Sequence, residues 1–189
     1  MKSERTDEPV VFLKPRSSVI FNNGKVLLPE KSNDVHHEVE LVLLIGKHTH
    51  KVSPDVALDS VKAVAVGLDL TARDIQARAK QKGLPWTLSK GFHTFAPVGN
   101  FAELRDNFDI QNLDLWVKVN GETRQHGNTS MMLFTSAEII SFLSQHFILN
   151  PGDIIFTGTP EGVSRVKAGD TIEAGLGDHI SSLKVYVQS

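Results

Sequence analysis

The chain has 189 residues, is 40 % hydrophobic and carries a formal net charge of −2, a composition that can bury a core and is not that of a disordered chain. That balance argues against a nucleic-acid footprint, which normally shows a basic excess or stripe, and the longest apolar run, residues 41–45, is far below the roughly 18 residues of a membrane span. With no cysteine, disulfides, thiolate zinc sites and a thiol nucleophile are excluded together.

Residues 1–8 are polar and charged, with no apolar signal core, so a cytoplasmic protein is expected. Residues 9–13 read as an apolar strand entering Lys14-Pro15. Residues 39–45 predict a second strand, closed by Gly46, and residues 61–70 a third, ending at Asp69. Helix-forming residues over 72–82, stopped by Gly83-Leu84-Pro85, predict a helix. Residues 113–119 alternate, with Leu113, Leu115, Val117 and Val119 on one face, and Asn120-Gly121 signals a hairpin. Over 136–147, Ile139, Ile140, Leu143 and Phe147 recur at helical spacing behind Ser136 as N-cap. Short strands at 154–156, 171–174 and 183–187 complete the chain, separated by glycine-rich turns. The expectation is one strand-dominated α+β domain over 1–189, with about two helices.

The segment His36-His37-Glu38-Val39-Glu40-Leu41 carries the chemistry. In a strand, Glu38 and Glu40 share a face, with Cα atoms about 7 Å apart. Two carboxylates on a partly buried face repel one another and lose solvation. Either a divalent cation compensates them or they sit solvated on an edge strand. Asp69, at the end of an apolar run, is a third acid on a rigid support. Three carboxylates without cysteine suit Mg²⁺, Mn²⁺ or Ca²⁺ better than zinc. Of the histidines, His36 is the one that can share the glutamate face, and a surface or supporting role is preferred to direct ligation. Thr157-Gly158-Thr159-Pro160 is no phosphate loop, since no lysine follows at the required spacing. It reads as a strand-end turn presenting hydroxyls. Residues 124–129 read as an exposed loop.

Four segments in order carry a resemblance. They are His36 to Leu41 as quoted, Leu68-Asp69-Leu70-Thr71-Ala72-Arg73-Asp74-Ile75-Gln76, Gly83-Leu84-Pro85-Trp86-Thr87-Leu88-Ser89-Lys90, and Thr157-Gly158-Thr159-Pro160-Glu161-Gly162-Val163. Together they resemble the fumarylacetoacetate hydrolase family, in its short branch of acylpyruvate hydrolases and oxaloacetate decarboxylases. The likeness runs from about Glu8 to the C-terminus. It implies a mixed β-sandwich roll, usually a homodimer, that uses Mg²⁺ or Mn²⁺ to cleave C–C bonds of small 2-oxo acids, and it places residues 124–129 near the site or the subunit contact. No nucleic-acid or membrane partner is expected. Carried over by position, the metal ligands fall on Glu38, Glu40 and Asp69, and the catalytic lysine on Lys90. Arg73 and Gln76 would contact substrate oxygens, and Thr159 would hold the substrate carboxylate from the opposite side. Three carboxylates, one dication and Lys90 sum to zero charge before substrate binds. Relatives of this branch also carry a lid with a histidine and a glutamate, which the resemblance places upstream of Met1. The favoured expectation is that the chain is a fragment or begins at an internal methionine, in which case a mitochondrial protein is also possible. A weakly active paralogue and a lid supplied by another chain are the alternatives. Two other functions stay open: isomerisation or decarboxylation of a diene-dioate, and a catalytically idle metal-binding interaction module.

Overall fold

Val, Ile and Leu recur in short runs, and β-branched side chains pack well on a pleated surface, so most of the chain forms strands. The computed structural model describes residues 6–104 and 108–189. Met1 and the four residues after it, with the reading of the chain's start that rests on them, lie outside the described residues.

In chain order the strands are β1 (Val19–Ile20), β2 (Lys25–Leu27), β3 (Val35–His37), β4 (Val39–Ile45), β5 (Val61–Leu68), β6 (Thr71–Ala72) and β7 (Ala96–Pro97). They continue as β8 (Ala102–Glu103), β9 (Asp114–Val119), β10 (Glu122–Asn128), β11 (Ile154–Phe156), β12 (Ser164–Arg165), β13 (Thr171–Leu176) and β14 (Ser181–Gln188). The α-helices are α1 (Pro54–Ala57), α2 (Arg73–Gln81), α3 (Thr87–Lys90) and α4 (Ser136–His146).

A five-stranded sheet of order β10-β9-β13-β14-β2 faces a four-stranded sheet of order β11-β4-β5-β8. Leu41, Leu43, Val64 and Val66 of the second join Val117, Ile172, Ala174 and Val185 of the first in one buried cluster. The result is a β-sandwich, mixed because β14 pairs with β2 in parallel while the other pairs of these two sheets are antiparallel. A three-stranded sheet of order β12-β3-β6 adjoins it. The Asn120-Gly121 hairpin forms with φ of 53° and 82°, the left-handed pair that the tight turn requires.

The structure corrects several expectations. Residues 9–13 form no strand; Val10 and Leu13 stay 61 % and 71 % exposed, so the run lacks the buried face that fixes a strand's pairing. The cap of α4 is Thr135, because Thr135 and Glu138 close a reciprocal capping box and leave Ser136 as the first helical residue. Residues 124–128 of the presumed loop belong to strand β10. Glu38 is not inside a strand: the chain leaves the three-stranded sheet after His37 and enters the four-stranded sheet at Val39. That break positions the site.

Candidate metal centre

Glu38 sits at the junction between two sheets, Glu40 lies near the start of β4, and Asp69 directly follows β5. Because β4 and β5 pair antiparallel, with Val39 opposite Leu68, Asp69 arrives beside Glu38, and its N–H donates to the Glu38 carbonyl at 2.9 Å. Carboxylate oxygens of Glu38, Glu40 and Asp69 lie within 4.8 Å of one another, and all three residues are buried.

Three cations converge on these acids. Lys90, the last residue of the short helix α3, donates to Glu38 Oε2 at 2.9 Å and also to Asp69 Oδ2. Arg73, at the start of α2, donates from Nη2 to Glu38 Oε1 at 2.5 Å and from Nη1 to Gln76 Oε1 at 2.8 Å. Gln76 is buried one turn along the same helix. Lys14 completes the group, a role its place after the apolar run 9–13 did not suggest. Its ammonium donates to Asp69 Oδ1 at 2.7 Å and to the main-chain oxygens of Leu70 and Lys90, tying three segments together. The ring of Phe12 stands 4.8 Å from Lys90 Nζ and packs against Trp86 at 5.8 Å, a cation–π cover over the lysine.

The electrostatics single out Glu40. Burial alone would raise the Glu38 carboxyl, but Lys90 and Arg73 hold it below the usual range. Lys90 is disfavoured by burial, yet Asp69 and Glu38 hold it above its ordinary value. In Lys14 burial outweighs the pull of Asp69 and lowers the ammonium's pKa. Glu40 has no cationic partner among the described residues and accepts only the Gly158 N–H, at 2.7 Å. Burial, then Asp69 and Glu38, push its carboxyl up to about 8. An all-oxygen set that is buried and leaves one carboxylate without a countercharge fits a hard dication. The charge sum also changes. Glu38, Glu40 and Asp69 against Lys14, Lys90 and Arg73 already balance, three against three. The earlier sum had counted Lys90 alone.

Residues 157–159 run along β4 rather than offering their hydroxyls outward. Thr157 Oγ1 donates to the Leu41 carbonyl at 2.9 Å, Gly158 N–H to the Glu40 carboxylate, and Thr159 Oγ1 to the Val39 carbonyl at 2.8 Å. The Thr159 hydroxyl, its proton committed to the Val39 carbonyl, also accepts from Gln125 Nε2 at 2.9 Å. His36 turns to Asp34 at 3.0 Å. His37 is fully buried between Gln125 Oε1 and Ser164 Oγ, each at 2.8 Å, and desolvation lowers its pKa. Neither histidine belongs to the carboxylate cluster.

A family model described as Fumarylacetoacetate (FAA) hydrolase C-terminal matches residues 1–188. The chain belongs to the fumarylacetoacetate hydrolase family. Among relatives of this family, oxaloacetate tautomerase FAHD1, mitochondrial, from Bos taurus is 47 % identical over 188 residues, which cover 100 % of this chain and 85 % of the relative. The crystal structure of fumarylpyruvate hydrolase from Pseudomonas aeruginosa in complex with Mn²⁺ and pyruvate superposes with a TM-score of 0.91 at 34 % identity, covering 96 % of this chain and 80 % of that one. The structure of 5-carboxymethyl-2-hydroxymuconate delta-isomerase from Mycobacterium smegmatis gives a TM-score of 0.88 at 34 % identity, covering 100 % and 72 %. The sandwich is therefore the fold of the fumarylacetoacetate hydrolase family. No helix among the described residues is long and apolar enough to cross a membrane.

Proposed function

We propose that Glu38, Glu40 and Asp69 hold one Mg²⁺ or Mn²⁺ and that the chain acts on a small 2-oxo acid. The reaction is C–C cleavage of an acylpyruvate or of oxaloacetate, or proton transfer between the keto and enol forms of the latter. One observation carries the reading: three buried carboxylates with oxygens within 4.8 Å of one another, ringed by Lys14, Lys90 and Arg73. The similar structure that contains Mn²⁺ and pyruvate, itself a 2-oxo acid, supports it.

A bound dication supplies Lewis-acid polarisation of a coordinated oxygen. The chain's own groups do the rest. Lys90, beside Glu38 and Asp69, stabilises the negative charge that develops on the substrate oxygen as an enolate forms. Arg73 and Gln76, one turn apart on α2 and already bonded to each other, orient substrate oxygens from one wall. Thr159 is assigned the substrate carboxylate from the opposite side, and to donate to it the hydroxyl gives up the bond to Val39. With three acids, three basic groups and a dication the site carries +2, a charge that attracts a dianion such as oxaloacetate over a neutral compound. The same proposal has the protein working as a homodimer, in the cytoplasm or, like the relatives named mitochondrial, in that organelle. A second reading, isomerisation of a diene-dioate, is favoured by the likeness to the delta-isomerase structure.

The test offers the purified protein acetylpyruvate, oxaloacetate and fumarylpyruvate with Mn²⁺ or Mg²⁺, beside Asp69→Ala. Pyruvate release reports C–C cleavage, and enol absorbance reports tautomerisation. Turnover that needs the ion and vanishes in Asp69→Ala is expected. Thermal stabilisation by ion and ligand without turnover would instead establish an idle binding module.

A further inference from the structure

Gln125 lies on β10 just past a bulge: Thr123 pairs with Lys118 and Gln125 with Val117, leaving Arg124 as the extra residue. A bulge re-aims side chains, and here it turns one polar residue into the protein. Gln125 is 1 % exposed while its neighbours Arg124 and His126 face solvent. Its amide uses its whole bonding capacity. Nε2 donates to Thr159 Oγ1 at 2.9 Å and to the Pro160 carbonyl at 2.8 Å. Oε1 accepts the Val39 N–H at 3.1 Å and faces His37 Nδ1 at 2.8 Å. The Val39 N–H can only donate, so it fixes which end of the amide is oxygen. His37 therefore donates from Nδ1 and accepts the Ser164 hydroxyl at Nε2.

Val39 is the residue between two of the three carboxylates. Strand β11 covers β4 only over Val42–Leu44, and residues 157–159 beyond it follow β4 without offering Val39 a peptide partner. At Val39 no strand peptide is left on that side, and the Gln125 amide takes its place. The same amide holds Thr159 and Pro160, which fix the loop whose Gly158 N–H binds Glu40. The loop packs tightly on the bulge: at Gly162, with φ of +99°, a Cβ would lie 2.4 Å from the Arg124 carbonyl oxygen.

We infer that Gln125 is a positioning residue that sets Glu38 and Glu40 at the spacing a dication needs, by clamping the Val39 peptide and the Gly158 loop at once. The inference rests on the metal-binding reading of the site. Gln125 touches neither ion nor substrate; it acts through Val39 and Gly158.

The test compares Gln125→Met, which removes all four bonds, with Val117→Ala, which opens a core cavity on the paired strand and leaves the network alone. Mn²⁺ affinity is read by electron paramagnetic resonance of the free ion, at a temperature where each protein is folded. Gln125→Met weakens binding about ten- to hundredfold, the usual cost of losing a partner that orients a ligand, and Val117→Ala binds as the parent does. Equal Mn²⁺ affinity in Gln125→Met and the parent would overturn the proposal. Thr159→Val cuts one arm of the network and stands in if Gln125→Met does not fold: a smaller loss supports the role, and parental affinity overturns it. A parent that takes up no Mn²⁺ is a failure of the metal reading instead. Amide exchange at Gly158, which needs no ion, separates the two failures. Faster exchange in whichever of the two network variants is folded upholds the clamp, and unchanged exchange refutes it.

Discussion

Arg73→Met should tighten Mn²⁺ binding. Glu38 has both oxygens engaged, Oε1 by Arg73 at 2.5 Å and Oε2 by Lys90 at 2.9 Å. A dication ligated by Glu38 therefore meets a guanidinium within a few ångströms. Two unit charges 4 Å apart interact by about 4 kcal/mol at an effective dielectric of 20, and a dication makes that about 8. Arg73 is the movable partner: its side chain is 23 % exposed, against 3 % for Lys90. Swinging toward water relieves most of the repulsion, and about 1–3 kcal/mol remains. At roughly 1.4 kcal/mol per decade, that is about five- to 150-fold. The opposing effect is that Glu38 loses a hydrogen bond that orients it. If orientation outweighs repulsion, the variant binds Mn²⁺ more weakly. The assay is a calorimetric Mn²⁺ titration at fixed ionic strength, with Arg78→Met as control. Arg78 lies on the same helix, is 59 % exposed and pairs loosely with Asp74 at 3.9 Å, so its removal changes net charge equally and the site hardly at all. Unchanged or weaker binding in Arg73→Met, or equal tightening in both variants, would refute the reasoning. Tighter ion binding should come with weaker binding of an anion such as oxalate, because the guanidinium that the substitution removes is the group proposed to meet the substrate.

Two further outcomes follow from the same contacts. Lys14→Met breaks a buried pair with Asp69, whose partners are 9 % and 1 % exposed, and should cost about 3–5 kcal/mol in urea unfolding with chelator present; added Mn²⁺ should return part of it, and an equal cost with and without the ion would count against the assignment. At Asp74 burial raises the carboxyl, but the Ser32 hydroxyl at 2.6 Å, with the Asn33 and Ile75 N–H groups, holds it below its ordinary value. A depressed folded pKa contributes stability that is present above the unfolded value, near 3.9, and lost as pH falls through the folded one. Ser32→Ala should therefore lower the urea midpoint at neutral pH, with the difference from the parent shrinking below about pH 4; a gap independent of pH would contradict the link.

How much of this was legible in the sequence depended on whether the signal was local. Glu38, Glu40 and Asp69 are marked by residue type on apolar runs, and the structure brings their oxygens together. Lys90 and Arg73 came from motif resemblance, and both reach the cluster. Lys14 had no local signal, since it is one lysine after an exposed segment, 55 residues from the carboxylate it pairs with. Gln125 was hidden differently: the bulge breaks the alternation that marks buried positions on β10, so its stretch looks exposed. The two-residue strands β1, β6, β7, β8 and β12 are too short for any periodicity to show. The α4 cap was placed at Ser136 although Thr135 and Glu138 carry the spacing of a capping box, a local signal that was there to be read.

The site itself follows from one departure from regular structure. In an unbroken strand the two glutamate side chains would stand parallel, about two residue rises apart, and Asp69 would be a neighbour of only one. By leaving one sheet at Glu38 and joining another at Val39, the chain lets Glu38 turn toward Asp69 while Glu40 keeps its place on β4. That break has consequences a ladder would have absorbed. It falls where β11 no longer covers β4, so the Val39 N–H has no strand partner, and it gathers three carboxylates where water is excluded. The Gln125 amide answers the first. Lys14, Lys90 and Arg73 answer the second in charge but not in position, since none of them reaches Glu40. A buried carboxylate that three nearby cations leave unpaired is the feature that calls for a dication, and it exists because the strand is interrupted one residue before β4 begins.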